Sequence, residues 1–283
     1  MNIISIDLED WFHIMDNNST KSIQEWVTYP TRIEIELNKI LLTLADSNKK
    51  ATLFCLGWIA GKYPELIKRI SAQGHEIASH SMMHQLVYEQ TPELFKEDLF
   101  NSINLLEDIT GKKVRIYRAP GFSITEKTPW AFDALIEAGI EIDCSIFPAE
   151  RGHGGFPSIK RAEPFLIERN NCRIKEFPIN TKKILGQNII FSGGGYFRLL
   201  PYKMIKSFTS ESEYVMTYFH PRDFDPDQPV IKDLPLMRRF KSYVGLKGAY
   251  KKFETYLSDF TFVDVCEADK MVDWNNAPVV SLD

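Results

Sequence analysis

Residues 51–84 read ATLFCLGWIAGKYPELIKRISAQGHEIASHSMMH. The apolar run at 51–56 predicts a strand. Residues 64–72 put Leu66, Ile67 and Ile70 on one helical face, and Gly74 stops that helix. Residues 75–79 predict a second short strand, and His80 and His84 stand just beyond it. A strand, a helix and a strand in succession are the unit of a parallel sheet.

The same rhythm extends in both directions. Residues 3–6 form a short apolar run that ends in acid, and 30–45 carry Ile33, Leu37, Ile40, Leu41 and Leu44 at helical period. Thr91-Pro92-Glu93 caps a helix that ends at Gly111. A strand follows at 114–117, a helix at 128–138, and a strand at 140–144. The fold class is therefore α/β, with a parallel sheet that is open or closed into a distorted (β/α) barrel. Residues 147–197 interrupt the rhythm with Gly, Pro, Arg and Asn, and their strands at 174–179 and 188–191 have no helix between them. The expectation is one domain over 1–283, with an elaboration of the barrel rim at about 147–200. A helix at 201–208, a strand at 214–219, a loop at 223–235, a helix at 250–257 and a strand at 262–265 complete the reading.

Composition narrows the partners. The chain has 283 residues, 44% hydrophobic and 25% charged, with a net charge of -4. Nothing in that balance calls for nucleic acid. No apolar run approaches the length of a bilayer span. The N-terminus lacks the basic and long apolar regions of a signal peptide, so a cytoplasmic start is expected. Cys55, Cys144, Cys172 and Cys266 include no Cys-x-x-Cys pair, so a thiolate metal site is not expected and the cysteines read as reduced and largely buried.

Polar residues gather where strands end, which in β/α barrels is the face that carries the active site. Asp7, Glu9 and Asp10 follow the first strand, and Arg118 follows the strand at 114–117. Asp143 ends the strand at 140–144, and His220 leaves the strand at 214–219. His80 and His84, four apart on a turn, can direct two nitrogens at one ion. A carboxylate from the first strand would complete a facial set with open positions. A metalloprotease helix is excluded, because its second histidine would fall on Ser79. Three carboxylates in Asp7-Leu8-Glu9-Asp10 repel one another unless a cation lies between them. Arg118 on its Ala119-Pro120-Gly121 turn suits a structural ion pair or a site. His220 suits a proton donor or a loop hydrogen bond. Gly193-Gly194-Gly195 is not a phosphate loop, since no Lys-Ser/Thr completes it.

At these residues the sequence resembles the polysaccharide deacetylase family, the group that shares the NodB homology domain. Five stretches carry the resemblance in family order. They are Ser5-Ile6-Asp7-Leu8-Glu9-Asp10, His80-Ser81-Met82-Met83-His84, Arg118-Ala119-Pro120-Gly121-Phe122, Asp143-Cys144-Ser145-Ile146-Phe147-Pro148 and Tyr218-Phe219-His220-Pro221. The acidic motif with Trp11-Phe12 and the stretch from Gly193 to Tyr202 resemble a branch tied to bacterial exopolysaccharide synthesis.

The resemblance implies a distorted barrel with an incomplete strand set and a metal-dependent removal of acetyl from an N-acetylated sugar. It implies zinc, with cobalt, iron or nickel also suited to the donor set. The ion is expected on His80, His84 and Asp10, with Glu9 as the alternative to Asp10. Asp7 is expected as general base, oriented by Arg118. His220 is expected as general acid, with Asp143 orienting Arg118 or His220. Tyr196, Phe197, Arg198, Trp11 and Tyr218 are expected at the sugar, with Phe12 and Trp58 as further groove candidates. Tyr218 stands where the family has leucine. Two rival readings are a hydrolase of small amides, which needs a closed pocket, and a carbohydrate-binding homologue without catalysis.

Overall fold

Strands buried on both faces read as unbroken apolar runs, and here they assemble into one curved sheet. In a computed structural model that describes residues 1–15, 23–149, 154–184 and 186–283, eight strands lie side by side. Their order is Val279–Ser281, Phe165–Arg169, Cys172–Glu176, Ile142–Asp143, Ile116–Tyr117, Glu76–Ser79, Thr52–Cys55 and Ser5–Leu8. Neighbours run parallel except in the hairpin of Phe165–Arg169 with Cys172–Glu176. At the Ser5–Leu8 edge the backbone continues through single bridges, Ile6 to Phe219 and Gly193 to Tyr218. The sheet is mixed α/β and curls without closing into a barrel among the described residues.

The two-residue period of the strands divides the interior. Ile6, Leu8, Leu53 and Cys55 face outward into a core completed by Leu37, Ile40, Ile67 and Leu99 of the covering helices. Phe54, Ala78, Ile116 and Ile142 face inward into a second core. Register pairs Asp7 with Phe54, so Asp7 belongs to the inward set, and strand ends deliver polar side chains to one rim. The helices form as their caps direct. Thr91 accepts from Leu94 N–H at the start of Pro92–Thr110, and Gly111, at φ 68°, ends it.

Three elements differ from expectation. The hairpin within 147–200 continues the sheet instead of decorating the rim, because Phe165, Ile167 and Ile174 give it an apolar face. A helix, Leu236–Tyr243, forms where none was expected, and its apolar side chains Leu236, Met237 and Phe240 are exposed. The strand expected at 262–265 is reduced to a bridge at Val263. Asp264 instead caps the helix Val265–Met271 by accepting from Glu267 N–H at 2.8 Å. The four cysteines are free. Cys55 and Cys144 are buried as expected, whereas Cys172 is exposed.

Gly193 is where two chain segments touch. A Cβ added there would lie 1.8 Å from the Tyr218 carbonyl oxygen. Backbone cannot yield as a flexible side chain does. Gly193→Ala is therefore expected to cost about 1–3 kcal/mol of stability through overpacking, read as a lower urea midpoint. An unchanged midpoint would show that the 193 and 218 segments separate freely.

Candidate active site

The first strand ends at Leu8, and the chain turns at once. Asp10 caps a single turn of 3-10 helix, Trp11–His13. Its carboxylate accepts from Trp11 N–H at 2.8 Å, and its second oxygen accepts from Arg32 N–H at 2.9 Å and Ile33 N–H at 3.3 Å. This corrects the expected ligand set. Asp10 is consumed by backbone donors and ties the first strand to the helix Ile33–Asp46. Glu9, the alternative, faces the histidines instead. Its Oε1 lies 3.0 Å from His80 Nε2 and 2.8 Å from His84 Nε2.

The two histidines meet across an irregular turn, not on a helix. Ser81 and His84 adopt left-handed φ values of 66° and 55°. Each such residue costs on the order of 1 kcal/mol, and the turn is held by hydrogen bonds. Asp98 accepts from Met82 N–H at 2.8 Å and Met83 N–H at 3.0 Å, while Ser81 Oγ accepts from His84 N–H at 2.9 Å. His80 Nδ1 lies 2.8 Å from the Arg118 carbonyl. Nδ1–H donates there, which aims the Nε2 lone pair into the site.

Glu9, His80 and His84 thus bring one ligand atom each within 4.8 Å of one another, a set that could hold a metal ion. Asp7, Glu9 and His220 form an overlapping set. Electrostatics agree. Burial would raise the Glu9 carboxyl, but His84, His220 and the hydrogen bonds from His80 and His84 hold it well below its usual range. Burial would lower His80, but Asp7 and Glu9 draw it upward. A field that favours a proton on His80 equally favours a cation between these groups.

Arg118 has no exposed surface. Its Nη1 donates to Asp7 Oδ1 at 2.6 Å and Ser5 Oγ at 2.9 Å, and its Nε donates to the Cys144 carbonyl at 3.3 Å. The guanidinium carbon lies 3.9 Å from the centre of the Phe54 ring. Asp7 Oδ2 remains turned toward the site, 3.8 Å from His80 Nε2.

Asp143 does not take the expected place beside Arg118 or His220. It accepts from Ser145 Oγ at 2.6 Å and Ser145 N–H at 3.1 Å. Its neighbour is Glu176, also fully buried. Strand register brings these two carboxyls together, since Ile142–Asp143 pairs with Cys172–Glu176. Burial and the Asp143 charge push Glu176 well above its usual range, and burial also raises Asp143.

His220 is oriented by a residue that the sequence reading passed over. Its Nδ1 lies 3.1 Å from Asp223 Oδ2, and Asp223 in turn accepts from Arg198 Nη1. With Nδ1–H donating to Asp223, Nε2 faces Glu9 at 3.9 Å. Burial pushes His220 down to about 4, against the upward pull of Glu9 and Asp7. The spacing of His220 and Asp223 across Pro221 was the available signal. Arg198, expected at the sugar, lines the cleft and also holds Asp223. It is buried and also donates to the carbonyls of Val244, Lys241 and Ser242.

The aromatic candidates divide. Tyr196 and Tyr218 line a cleft of about 690 Å³, with Glu9, His84, His220 and Phe240. Tyr218 meets the rings of His220 and Phe122 edge-on at 4.7 and 4.9 Å. Phe197 is instead core, packed on Phe219 and Tyr256. Trp11 and Phe12 are buried in a satellite cluster against which Trp58 packs, and Trp11 Nε1–H donates to the Pro30 carbonyl. His13, not singled out in the sequence, also reaches the cleft. Its Nδ1 accepts from Asp10 N–H at 2.9 Å.

Comparison with known proteins follows this geometry. Residues 28–141 match the profile of the family described as Polysaccharide deacetylase, and 144–270 match one described as Domain of unknown function (DUF3473). The similarity to polysaccharide deacetylases thus lies in residues 28–141. A peptidoglycan-N-acetylglucosamine deacetylase of Bacillus cereus is 32% identical over 94 residues, 33% of this chain and 34% of that protein. A chitooligosaccharide deacetylase of Sinorhizobium fredii is 46% identical over 46 residues, 16% of this chain and 21% of that protein. The matched segment therefore spans about a third or less of these relatives.

The fold is shared with a candidate polysaccharide deacetylase of Mycobacterium smegmatis, at TM-score 0.64 and 16% identity over 96% of this chain and 89% of that one. It is also shared with a CE4 family pseudoenzyme of Bacillus anthracis, at TM-score 0.52 and 12% identity over 94% and 64%. His80, His84 and Arg118 fall within the first profile and His220 and Asp223 within the second. Asp7 and Glu9 precede both.

The Asp143–Glu176 pair sets a pH dependence. Glu176 keeps its proton in the folded chain at pH values where the unfolded chain has lost it. The associated stability is present below the unfolded carboxyl range and declines as pH rises from there toward the folded value. Glu176→Gln mimics the protonated form, so its unfolding free energy should fall less than that of the parent between pH 5 and pH 8. Parallel curves for the two proteins would place the proton elsewhere.

Proposed function

We propose that this chain hydrolyses the acetamide of an N-acetylated sugar in a bacterial poly- or oligosaccharide, with a divalent ion on Glu9, His80 and His84. The observation that carries this reading is the convergence of that donor set with Asp7 and His220, from three separate segments, beside the cleft that Glu9, His84 and His220 line. The names of the similar proteins support the substrate class. The cleft supports a glycan over a small amide, since its volume lies within the range of ligand sites and Tyr196, Tyr218 and Phe240 offer ring faces along it. The stretch from Gly193 to Tyr202 and the Asp10-Trp11-Phe12 turn support the exopolysaccharide branch.

Two imidazoles and one carboxylate suit zinc first, and cobalt, iron or nickel as well. When bound, such an ion polarises the acetamide carbonyl and makes a water more acidic. Asp7, fixed through Oδ1 by Arg118, takes the water proton on Oδ2. His220 begins neutral, with Nδ1–H donated to Asp223. It acquires at Nε2 the proton that Asp7 took from the water, and the nearby Asp223 carboxylate stabilises the imidazolium. It then delivers that proton to the departing nitrogen as the C–N bond breaks, since the nitrogen cannot leave as an amide anion. One water is consumed, Asp7 and His220 return to their starting states, and acetate and the ammonium form of the sugar amine are the products. Arg198 keeps Asp223 in place, and so also acts on the reaction through His220.

Metal content separates the acidic residues. Glu9→Gln should lose most of the bound ion. Asp10→Asn should keep it and lose about 0.5–2 kcal/mol of stability, as when a helix cap is removed. Full occupancy in Glu9→Gln would remove Glu9 from the site. His220→Ala should keep the ion and lower kcat on an N-acetylated chitooligosaccharide by about 10²–10⁴-fold. A kcat near the parent value would exclude His220 as the proton donor.

A further inference from the structure

Helix Leu236–Tyr243 is short, and its apolar side chains face the wrong way for a core. Leu236 is 77% exposed, Met237 65% and Phe240 52%, and nearby Val230 is 55% exposed. Among the described residues, four of the twelve exposed large hydrophobics thus fall within residues 230–240. Scattered apolar residues on a surface need no explanation, but a contiguous group does.

The charge around this group is equally local. Residues 230–247 carry Lys232, Arg238, Arg239, Lys241 and Lys247 against one acid, Asp233, in a chain of net charge -4. Successive residues on a helix turn by about 100°. Leu236, Phe240 and Met237 therefore form one stripe, with Arg239 on one flank and Lys241 on the other. Ser242, on the opposite side, is buried. An apolar stripe between cationic flanks is the pattern of a helix that lies in the plane of a lipid surface.

Position adds the third observation. Met237, Phe240 and Lys241 line the same cleft as Glu9, His84 and His220. The helix is the lip of the active-site mouth. A surface that engages the stripe would sit directly at the opening.

We propose that Leu236–Tyr243 docks the protein on an anionic bilayer, and that the cleft receives a glycan anchored in that bilayer. The second clause rests on the deacetylase reading above, whereas the docking does not. The proposed association is at the surface, through the side chains of Leu236–Tyr243, and no helix among the described residues is long and apolar enough to cross a membrane. A soluble glycan explains the stripe less well. Sugars stack on flat rings, and Leu236 and Met237 offer none. A second copy is disfavoured because two faces of like charge would meet.

The test uses the full chain with vesicles of phosphatidylcholine alone and of phosphatidylcholine with phosphatidylglycerol. The chain should sediment with the anionic vesicles, remain in solution with neutral ones, and be released by high salt. The double variant Leu236→Ser, Arg239→Ser changes two residues outside the cleft lining. It should weaken vesicle binding on the order of 10-fold or more. Its thermal midpoint and its turnover of a soluble chitooligosaccharide should match the parent. Equal binding to both vesicle types, absence from anionic vesicles, or parent-like sedimentation of the double variant would overturn the docking. So would a dimer in solution that the same double variant dissolves. Vesicle binding with no deacetylation of any N-acetylated glycan would keep the docking and overturn the enzymatic reading alone.

Discussion

A guanidinium with no exposed surface is costly unless partners replace the water it has lost. Arg118 finds partners through Nη1 and Nε, with its Nη2 left unpaired, and in doing so joins four parts of the sheet. It holds Asp7 and Ser5 from the edge strand, the Cys144 carbonyl beyond Ile142–Asp143, and the face of Phe54. Its own carbonyl takes His80 Nδ1. Removing one partner of such a pair typically costs about 3–5 kcal/mol, because the other charge is left buried and alone. The strand ends therefore cannot shift independently. The positions of Asp7 and His80, the base and a metal ligand in the proposed reaction, are set by one structural residue.

Around this anchor the carboxylates are sorted by what satisfies them. Asp7 is held by a cation, Asp10 by three backbone N–H groups, Glu9 by imidazoles, and Asp143 by Ser145. Of these four, Glu9 lines the cleft and Asp7 keeps an oxygen near Glu9, His80 and His220, and these two carry the chemistry in the proposed reaction. The same sorting acts on the histidines. His80 is drawn upward by two carboxylates, while His220 is pushed down to about 4 by burial. Environments that separate the proton affinities of neighbouring groups are how one site supports both acid and base roles.

The site draws on both halves of the chain. The polysaccharide deacetylase profile covers His80, His84 and Arg118, and the second profile contributes His220, Asp223 and Arg198. Gly193 seats the second half against the first, since its backbone approaches Tyr218 too closely for any side chain. Residues 144–270 are thus part of the catalytic architecture in the proposed reaction, not an appendage to it.

The sequence by itself determined the α/β rhythm, because strands and helices declare themselves through local period. It also determined the five polar stretches, since chemistry at strand ends needs particular side chains at particular chain positions. It could not decide between Glu9 and Asp10. That choice depends on where Leu8 ends its strand and on backbone donors from Arg32 and Ile33, far along the chain. It marked Asp143 as a partner for Arg118 or His220, when pairing with the strand Cys172–Glu176 brings it to Glu176 instead. It placed Trp11 and Phe197 at the sugar, because an aromatic residue looks alike in sequence whether it lines a groove or fills a core. Only packing separates those cases, as burial is a property of everything that surrounds a residue and not of the residue itself.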